Sequence, residues 1–282
     1  MASNDRRTGY APVNGLEMYY EVHGDGGEPP LVLMHGWFSN IETDFGRLLP
    51  GLARGRRVIA VEQQGHGRTA DVDRPFSYEQ MAGDTAALLQ HLGVGQTDVF
   101  GYSMGSGIAI EMAQRHPALV RKLVLAGGTS YAPDGLHPEL QAGTEGVTPE
   151  ALAGMLMASP YGQAYARLAP RPEDFSRLVA KKMEADRRWT GWPAEVIRGI
   201  AAPALLVIGD ADIVRPEHTV EMFRLLGGGV PGDLVGVPPT QLAVLPGTTH
   251  VTLVERADWL VPMTEAFLDA PLAAEGSAGG EA

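Results

Sequence analysis

Apolar positions along the chain fall into short, uninterrupted runs, and segments with helical spacing lie between several of them. "PPLVLMHG", "RRVIAVEQQG", "TDVFG" and "VRKLVLAGG" are such runs, each ending at or near glycine. Successive side chains of a strand point to opposite faces, so a run apolar on both faces fits a buried parallel strand. "GYAPVNGLEMYYEVHG" predicts two strands joined at Asn14-Gly15, a pair suited to a tight hairpin turn. "SYEQMAGDTAALLQHLG" predicts a helix that opens with Ser77 and Gln80 in capping-box spacing and closes at Gly93. A further helix follows Ser103 and stops at Pro117, which cannot continue it.

The pattern changes after "LVLAGGTS". From about Tyr131 to about Ile200 no strand is predicted. The segment reads as helical and carries Met155, Met157, Tyr161, Tyr165, Phe175, Met183, Trp189 and Trp192. Thr148-Pro149 matches an N-cap followed by proline at the first helical position. Strand-like runs resume with "APALLVIGD" and "TQLAVLPG". The expected organisation is an α/β core from 1–130 and 201–270, a helical unit from 131–200, and a disordered tail from 271–282.

Bulk properties remove several function classes. The 282 residues suit one core with an insertion. A formal net charge of −12 argues against a nucleic-acid partner and against a polybasic membrane contact. The absence of cysteine excludes disulfides, thiolate catalysis and Cys-based metal sites. No apolar run approaches the roughly 18 residues that span a bilayer. "MASNDRRTGY" lacks the apolar segment of a secretory signal, so a cytoplasmic location is expected.

The candidate chemistry starts at "GYSMG", which matches G-x-S-x-G in the strand–turn–helix context that the motif requires. A strand that turns sharply into a helix crowds the backbone on either side, and Gly101 and Gly105 remove the side chains that would clash. Ser103 is then held in a strained conformation, with its hydroxyl clear of the sheet edge at a helix N-terminus. The plain alternative is a Gly-Ser-Gly turn that only joins two elements. Dinucleotide readings fit less well, because "GSGIAI" lacks the third glycine of G-x-G-x-x-G.

A serine hydroxyl needs a base, and the base needs an orienting acid. Of eight histidines, His250 in "LPGTTHVTLVE" follows the last predicted strand and is the candidate base. His35 and His66 fall where they shape loops, and His23, His91, His116, His137 and His218 are expected to face solvent. "GDADIVRP" offers two acids just past a buried strand. Asp212 is the candidate, with Asp210 expected to hold the loop through backbone hydrogen bonds. Acyl transfer also needs donors for an oxyanion. The backbone N–H groups of Met104 and Trp37 are the candidates. No H-E-x-x-H and no clustered His/Asp spacing occurs, so neither a metal nor a cofactor is expected.

Through "LVLMHGW", "VIAVEQQGHGRT", "GYSMGSG", "GDADIVRP" and "PGTTH", in that order, the chain resembles the α/β-hydrolase family over nearly its whole length. The resemblance implies an eight-stranded, mostly parallel sheet with a helical cap inserted after strand six. It also implies Ser103 as nucleophile, Asp212 as acid, His250 as base, and Trp37 and Met104 as oxyanion donors. The nearest groups in character are cofactor-free esterases, non-haem haloperoxidases or perhydrolases, and carbon–carbon hydrolases of aromatic ring cleavage. Some features depart from the pattern. Glu62-Gln63-Gln64 stands where relatives often have Asp-x-Arg, so amide hydrogen bonds are expected in place of a loop ion pair. "HGWF" replaces a glycine-rich oxyanion loop and implies a narrower pocket. Serine at 103, rather than aspartate, argues against haloalkane dehalogenase and epoxide hydrolase chemistry.

The expected function is hydrolysis of a small, mainly apolar carboxylic ester in a pocket formed by Trp37, Phe38, Met155, Tyr161, Trp189 and Trp192. The plain alternative for each of these wall residues is helix core. Carbon–carbon cleavage of a vinylogous diketone, lactone opening and perhydrolysis use the same triad. A ligand receptor without catalysis is the competitor from another class. The sequence carries no reading of oligomeric state.

Overall fold

The runs "PPLVLMHG", "RRVIAVEQQG", "TDVFG" and "VRKLVLAGG" become strands whose apolar residues are covered on both faces, whereas "TQLAVLPG" becomes an edge strand with Val244 47 % exposed. A computed structural model describes residues 6–128, 130–140 and 146–272. The calls for 1–5, for 141–145 inside the expected helical unit and for 273–282 of the tail lie outside the described residues. The strands are β1 (Arg6–Val13), β2 (Leu16–His23), β3 (Gly27–Met34), β4 (Arg56–Val61), β5 (Thr97–Tyr102), β6 (Val120–Ala126), β7 (Ala204–Ala211) and β8 (Gln241–Thr249). They form one eight-stranded sheet in the order β1-β2-β4-β3-β5-β6-β7-β8. β2 pairs antiparallel with both β1 and β4, and all other pairings are parallel. Asn14 and Gly15, with φ of 49° and 82°, make the hairpin turn between β1 and β2.

The helices before the insertion are α1 (Ile41–Phe45), α2 (Leu49–Leu52), α3 (Tyr78–His91) and α4 (Met104–Arg115). Between β6 and β7 come α5 (Pro149–Met157), α6 (Pro160–Leu168), α7 (Phe175–Arg188) and α8 (Ala194–Arg198). The chain continues through α9 (Pro216–Leu225), α10 (Gly232–Val235) and α11 (Ala257–Asp269). Local signals set several boundaries. The Ser77 hydroxyl accepts the N–H of Gln80 to start α3, and the Thr148 hydroxyl accepts that of Ala151 to start α5.

Strand alternation divides the core in two. Val32 and Met34 of β3 join Ile59, Val99, Leu88 and Ile108 under α3 and α4. Leu31 and Leu33, one residue out of phase, join Phe100, Phe45, Leu52 and Phe267 under α1, α2 and α11. All of these strand residues are fully buried. The first layer also takes in Tyr165, Phe175 and Leu178 from α6 and α7, so the inserted helices share apolar packing with the core. Polar ties reinforce that seat. The Trp192 indole N–H donates to Glu111 Oε1 at 2.7 Å, and Lys181 Nζ meets both carboxylate oxygens of Asp71 at 2.7 and 2.8 Å. Among the described residues no helix is long and apolar enough to cross a membrane.

Parallel pairing places the C-terminal ends of β3, β5, β7 and β8 along one edge of the sheet. Trp37, Ser103, Asp212 and His250 follow those ends in turn. That edge is where the open α/β sheet offers a crevice.

Candidate active site

Ser103 occupies the single residue between β5 and α4, with φ 53° and ψ −115°. A non-glycine residue held there stores about 1–3 kcal/mol of strain, which the surroundings must offset. They do so by close packing of backbone. A Cβ on Gly101 would lie 2.3 Å from the carbonyl oxygen of Gly105, and one on Gly105 would lie 1.9 Å from that of Met34. Ser103 N–H donates to Ala126 O at 2.9 Å, and the Ser106 hydroxyl lies 2.7 Å from Gly101 O and 3.1 Å from Ala126 O, donating its one proton to either. The hydroxyl of Ser103 is thereby fixed at the mouth of the sheet.

His250 directly follows β8. Its Nε2 is 2.9 Å from Ser103 Oγ, and its Nδ1 is 2.9 Å from Asp212 Oδ1. A carboxylate only accepts hydrogen bonds, so Nδ1 carries the hydrogen and Nε2 accepts the Ser103 O–H. The Asp212 side chain is fully buried, and its Oδ1 also accepts Val214 N–H at 3.1 Å. Asp210 plays the separate part expected of it. Its Oδ1 accepts Thr248 N–H at 3.1 Å, and backbone donors from Gly247 and Thr248 hold its carboxyl below the usual range. The three residues singled out from the motifs therefore meet in one hydrogen-bonded chain.

Tyr102, which sequence reasoning missed, supports the imidazole. Its hydroxyl donates to the His250 carbonyl at 2.8 Å, and its ring stacks on the imidazole at 5.5 Å with planes 28° apart. The only available signal was an aromatic residue at the first variable position of "GYSMG". Burial pushes its hydroxyl far above the ordinary tyrosine range.

A cavity of about 610 Å3 opens onto Ser103 and His250. Trp37 and Met104 border it beside the serine, Tyr78 and Trp189 form an aromatic wall, and Leu152, Met183 and Val214 add apolar surface. Lys182, Asp186 and Arg187 of α7 give it one charged end. Lys182 pairs there with Asp186, and Arg187 with Glu184 at 2.5 Å.

The other expected wall residues lie elsewhere. Met155 is 60 % exposed, because α5 turns Leu152 toward the cavity and leaves Met155 facing water. Phe38 packs against Phe175 at 6.3 Å. Trp192 stands behind the wall, 5.3 Å from Trp189 and 5.4 Å from Tyr78, with its N–H committed to Glu111. Tyr161 falls outside the cavity lining, and burial raises its hydroxyl to about 12.

Two further expectations need correction. His218 is buried rather than solvent-facing. Its Nε2 accepts Tyr131 N–H at 3.2 Å, its ring stacks on Tyr131 at 4.4 Å, and burial lowers its proton affinity. The loop after β4 also keeps an ion pair, Arg68 Nη1 to Glu62 Oε1 at 2.8 Å, alongside the amide bonds of Gln64 to Arg74 and Asp71. Burial raises Glu62 to about 7 despite that partner.

His35 and His66 sit in the loops as expected, fully buried. His35 Nδ1 donates to Gly36 O at 2.7 Å while its Nε2 accepts Gln63 N–H at 3.0 Å. Burial, with the charge of His66, lowers His35 to about 3, and burial lowers His66 to about 4. In the unfolded chain residue 66 titrates near 6.5, so between that pH and about 4 the unfolded state binds the extra proton. Stability is therefore lost as pH falls through this window. His66→Asn, which keeps a donor toward Gln64 O, is expected to lose about 2 kcal/mol less than the parent between pH 7.5 and 4.5 in urea unfolding. An equal loss in both proteins would refute the assignment.

The alpha/beta hydrolase fold family matches residues 29–255, and the chain belongs to it. The chain is 29% identical over 271 residues to a non-heme haloperoxidase of Rhodococcus erythropolis, covering 87% of this chain and 93% of that one. It is 33% identical over 134 residues to 2-hydroxymuconate semialdehyde hydrolase of Pseudomonas sp. (strain CF600), covering 43% and 47% of the two chains. Among solved structures, the enol-lactonase of Burkholderia xenovorans LB400 superposes with a TM-score of 0.71 at 22% identity, over 93% of this chain and all of that one (100%). Hydrolase activity is thus supported by the family. Among the described residues no group of three or more His, Cys, Asp or Glu is placed to hold a metal ion.

Proposed function

We propose that this protein is a serine hydrolase that cleaves a small, mainly apolar carboxylic ester. The observation that carries the reading is the unbroken chain from Ser103 Oγ through His250 to Asp212, opening into a largely apolar cavity. Ser103 Oγ attacks the acyl carbon as its proton passes to His250 Nε2. Asp212 holds the imidazole in the required tautomer and stabilises the imidazolium. The N–H groups of Trp37 and Met104 receive the oxyanion. The carbon–oxygen bond to the alcohol breaks, and His250 returns the proton to the departing oxygen. Water then adds to the acyl group with His250 as base, releasing the acid and restoring Ser103. No cofactor enters this sequence. The helices between β6 and β7 act as a cap that excludes water and shapes the acyl pocket, and the setting is cytoplasmic.

A second reading keeps the triad and changes the bond, to a lactone or to the carbon–carbon bond of a vinylogous diketone. The charged end formed by Lys182, Asp186 and Arg187 favours it where the substrate carries a further polar group, as the second carbonyl of a vinylogous diketone does. One relative is named 2-hydroxymuconate semialdehyde hydrolase, and one protein of the same fold is named enol-lactonase. A panel of p-nitrophenyl esters, aliphatic lactones and a vinylogous diketone separates the readings. The highest kcat/KM is expected for a short-chain ester. Turnover confined to the lactones or the diketone would replace the first reading by the second.

A further inference from the structure

Asp44 of α1 is a buried carboxyl that the proposed reaction does not use. Its Oδ2 accepts the N–H of Gly36 at 2.8 Å and lies 2.5 Å from Ser39 Oγ. The Ser39 hydroxyl is also 2.8 Å from the carbonyl oxygen of Gly36, its single proton serving one acceptor at a time. His35 Nδ1 donates to that same carbonyl at 2.7 Å. Both backbone groups of Gly36 are therefore gripped. The residue itself presses on the serine, since a Cβ there would lie 3.2 Å from Ser103 Cβ.

The carbonyl of Gly36 and the N–H of Trp37 belong to one planar, trans peptide unit, so they point in opposite directions. Whatever fixes the carbonyl fixes the direction of the N–H. Hydrogen bonds donated to the carbonyl also polarise the unit and make the N–H a stronger donor. The turn does not hold itself by local preference, because the next residue, Phe38, has φ 64°. Stability does not explain Asp44 either. Burial raises its carboxyl to about 6, and its Oδ1 has no hydrogen-bond partner among the described residues.

The geometry points to Asp44 and Ser39 as positioning residues that aim the Trp37 N–H at the developing oxyanion. The inference rests on the hydrolase reading above. It assigns Asp44 no contact with substrate and no proton transfer.

The test compares Asp44→Ala, Asp44→Asn and Ser39→Ala with the parent, using a short p-nitrophenyl ester and a trifluoromethyl ketone. Ser103 adds to that ketone to give a tetrahedral oxyanion, so its inhibition constant reports the oxyanion site rather than general binding. Asp44→Ala is expected to lower kcat about 30-fold with KM unchanged within about twofold, and Ser39→Ala about fivefold. The inhibition constant should rise by the same factors. Asp44→Asn retains an oxygen for Gly36 N–H and Ser39, and should restore kcat to within about threefold of the parent. Should Asp44→Ala fail to fold, Ser39→Ala and Asp44→Asn still give the two readouts. A folded Ser39→Ala or Asp44→Ala with parental kcat, a loss confined to KM, or an Asn variant as poor as Ala overturns the inference. A parent that turns over no ester and does not react with a fluorophosphonate overturns the hydrolase reading and this inference with it. A reactive parent with unaffected variants overturns the inference alone.

Discussion

Ser103→Ala is expected to lower kcat for a short p-nitrophenyl ester by about 10^4- to 10^6-fold, leaving the fold intact. The magnitude follows from the Ser103, His250 and Asp212 geometry. Without Oγ the imidazole at 250 has no proton to accept, while the oxyanion donors proposed at Trp37 and Met104 would still polarise the carbonyl and sustain a residual rate. His250→Ala should lose about as much, and the double variant little more, because the two side chains act as a unit. Alanine takes up the same positive φ as the serine and adds no clash, so the urea midpoint should stay close to the parent's. Initial rates on protein whose circular dichroism matches the parent make the check. Activity within tenfold of the parent would remove Ser103 from the reaction.

Gly105→Ala is expected to be the most damaging glycine-to-alanine change among the described residues. The added carbon would lie 1.9 Å from the carbonyl oxygen of Met34, and that neighbour is backbone at the end of β3. No side-chain rotation relieves such a contact. Either α4 lifts off the sheet or β3 shifts in a region where every strand side chain is buried. The expected loss exceeds about 4 kcal/mol, enough to consume most of the stability of a typical domain. Gly154→Ala in α5 is the matched control, since a Cβ there meets nothing within 4 Å. It should gain about 0.5–1 kcal/mol from helix propensity. Urea unfolding of the two variants reads both, and a mild loss at Gly105 would mean that the elbow is less crowded than described.

Much of this architecture is visible in the order of residues, and the reasons are local. Buried strands announce themselves as apolar runs, and the reactive positions follow strand ends, where a motif and a strand boundary coincide. Asp210 and Asp212 both follow the same apolar run, so the sequence favours Asp212 only through its place in the family pattern; contacts separate them, Asp210 ending inside β7 against Thr248 N–H and Asp212 reaching His250. The rest depends on contacts that no short window contains. Tyr102 meets His250 across 148 positions of sequence, and His218 reaches Tyr131 across 87. Asp44 lies only eight residues from Gly36, yet nothing in "ETDFG" marks its carboxyl as buried. The helical insertion was the least legible part. An apolar residue on a short helix can face core, cavity or water, so Leu152 lines the cavity and Met155 is exposed although both lie on α5.

The central claim is that the hydroxyl at 103 is activated by its neighbours. The most direct measurement is reaction with a fluorophosphonate, followed by intact mass and peptide mapping. One phosphonyl group per chain on the peptide containing Ser103 is expected, with labelling abolished in His250→Ala. No label at all, or a label on another residue that persists when Ser103 is replaced, would contradict it.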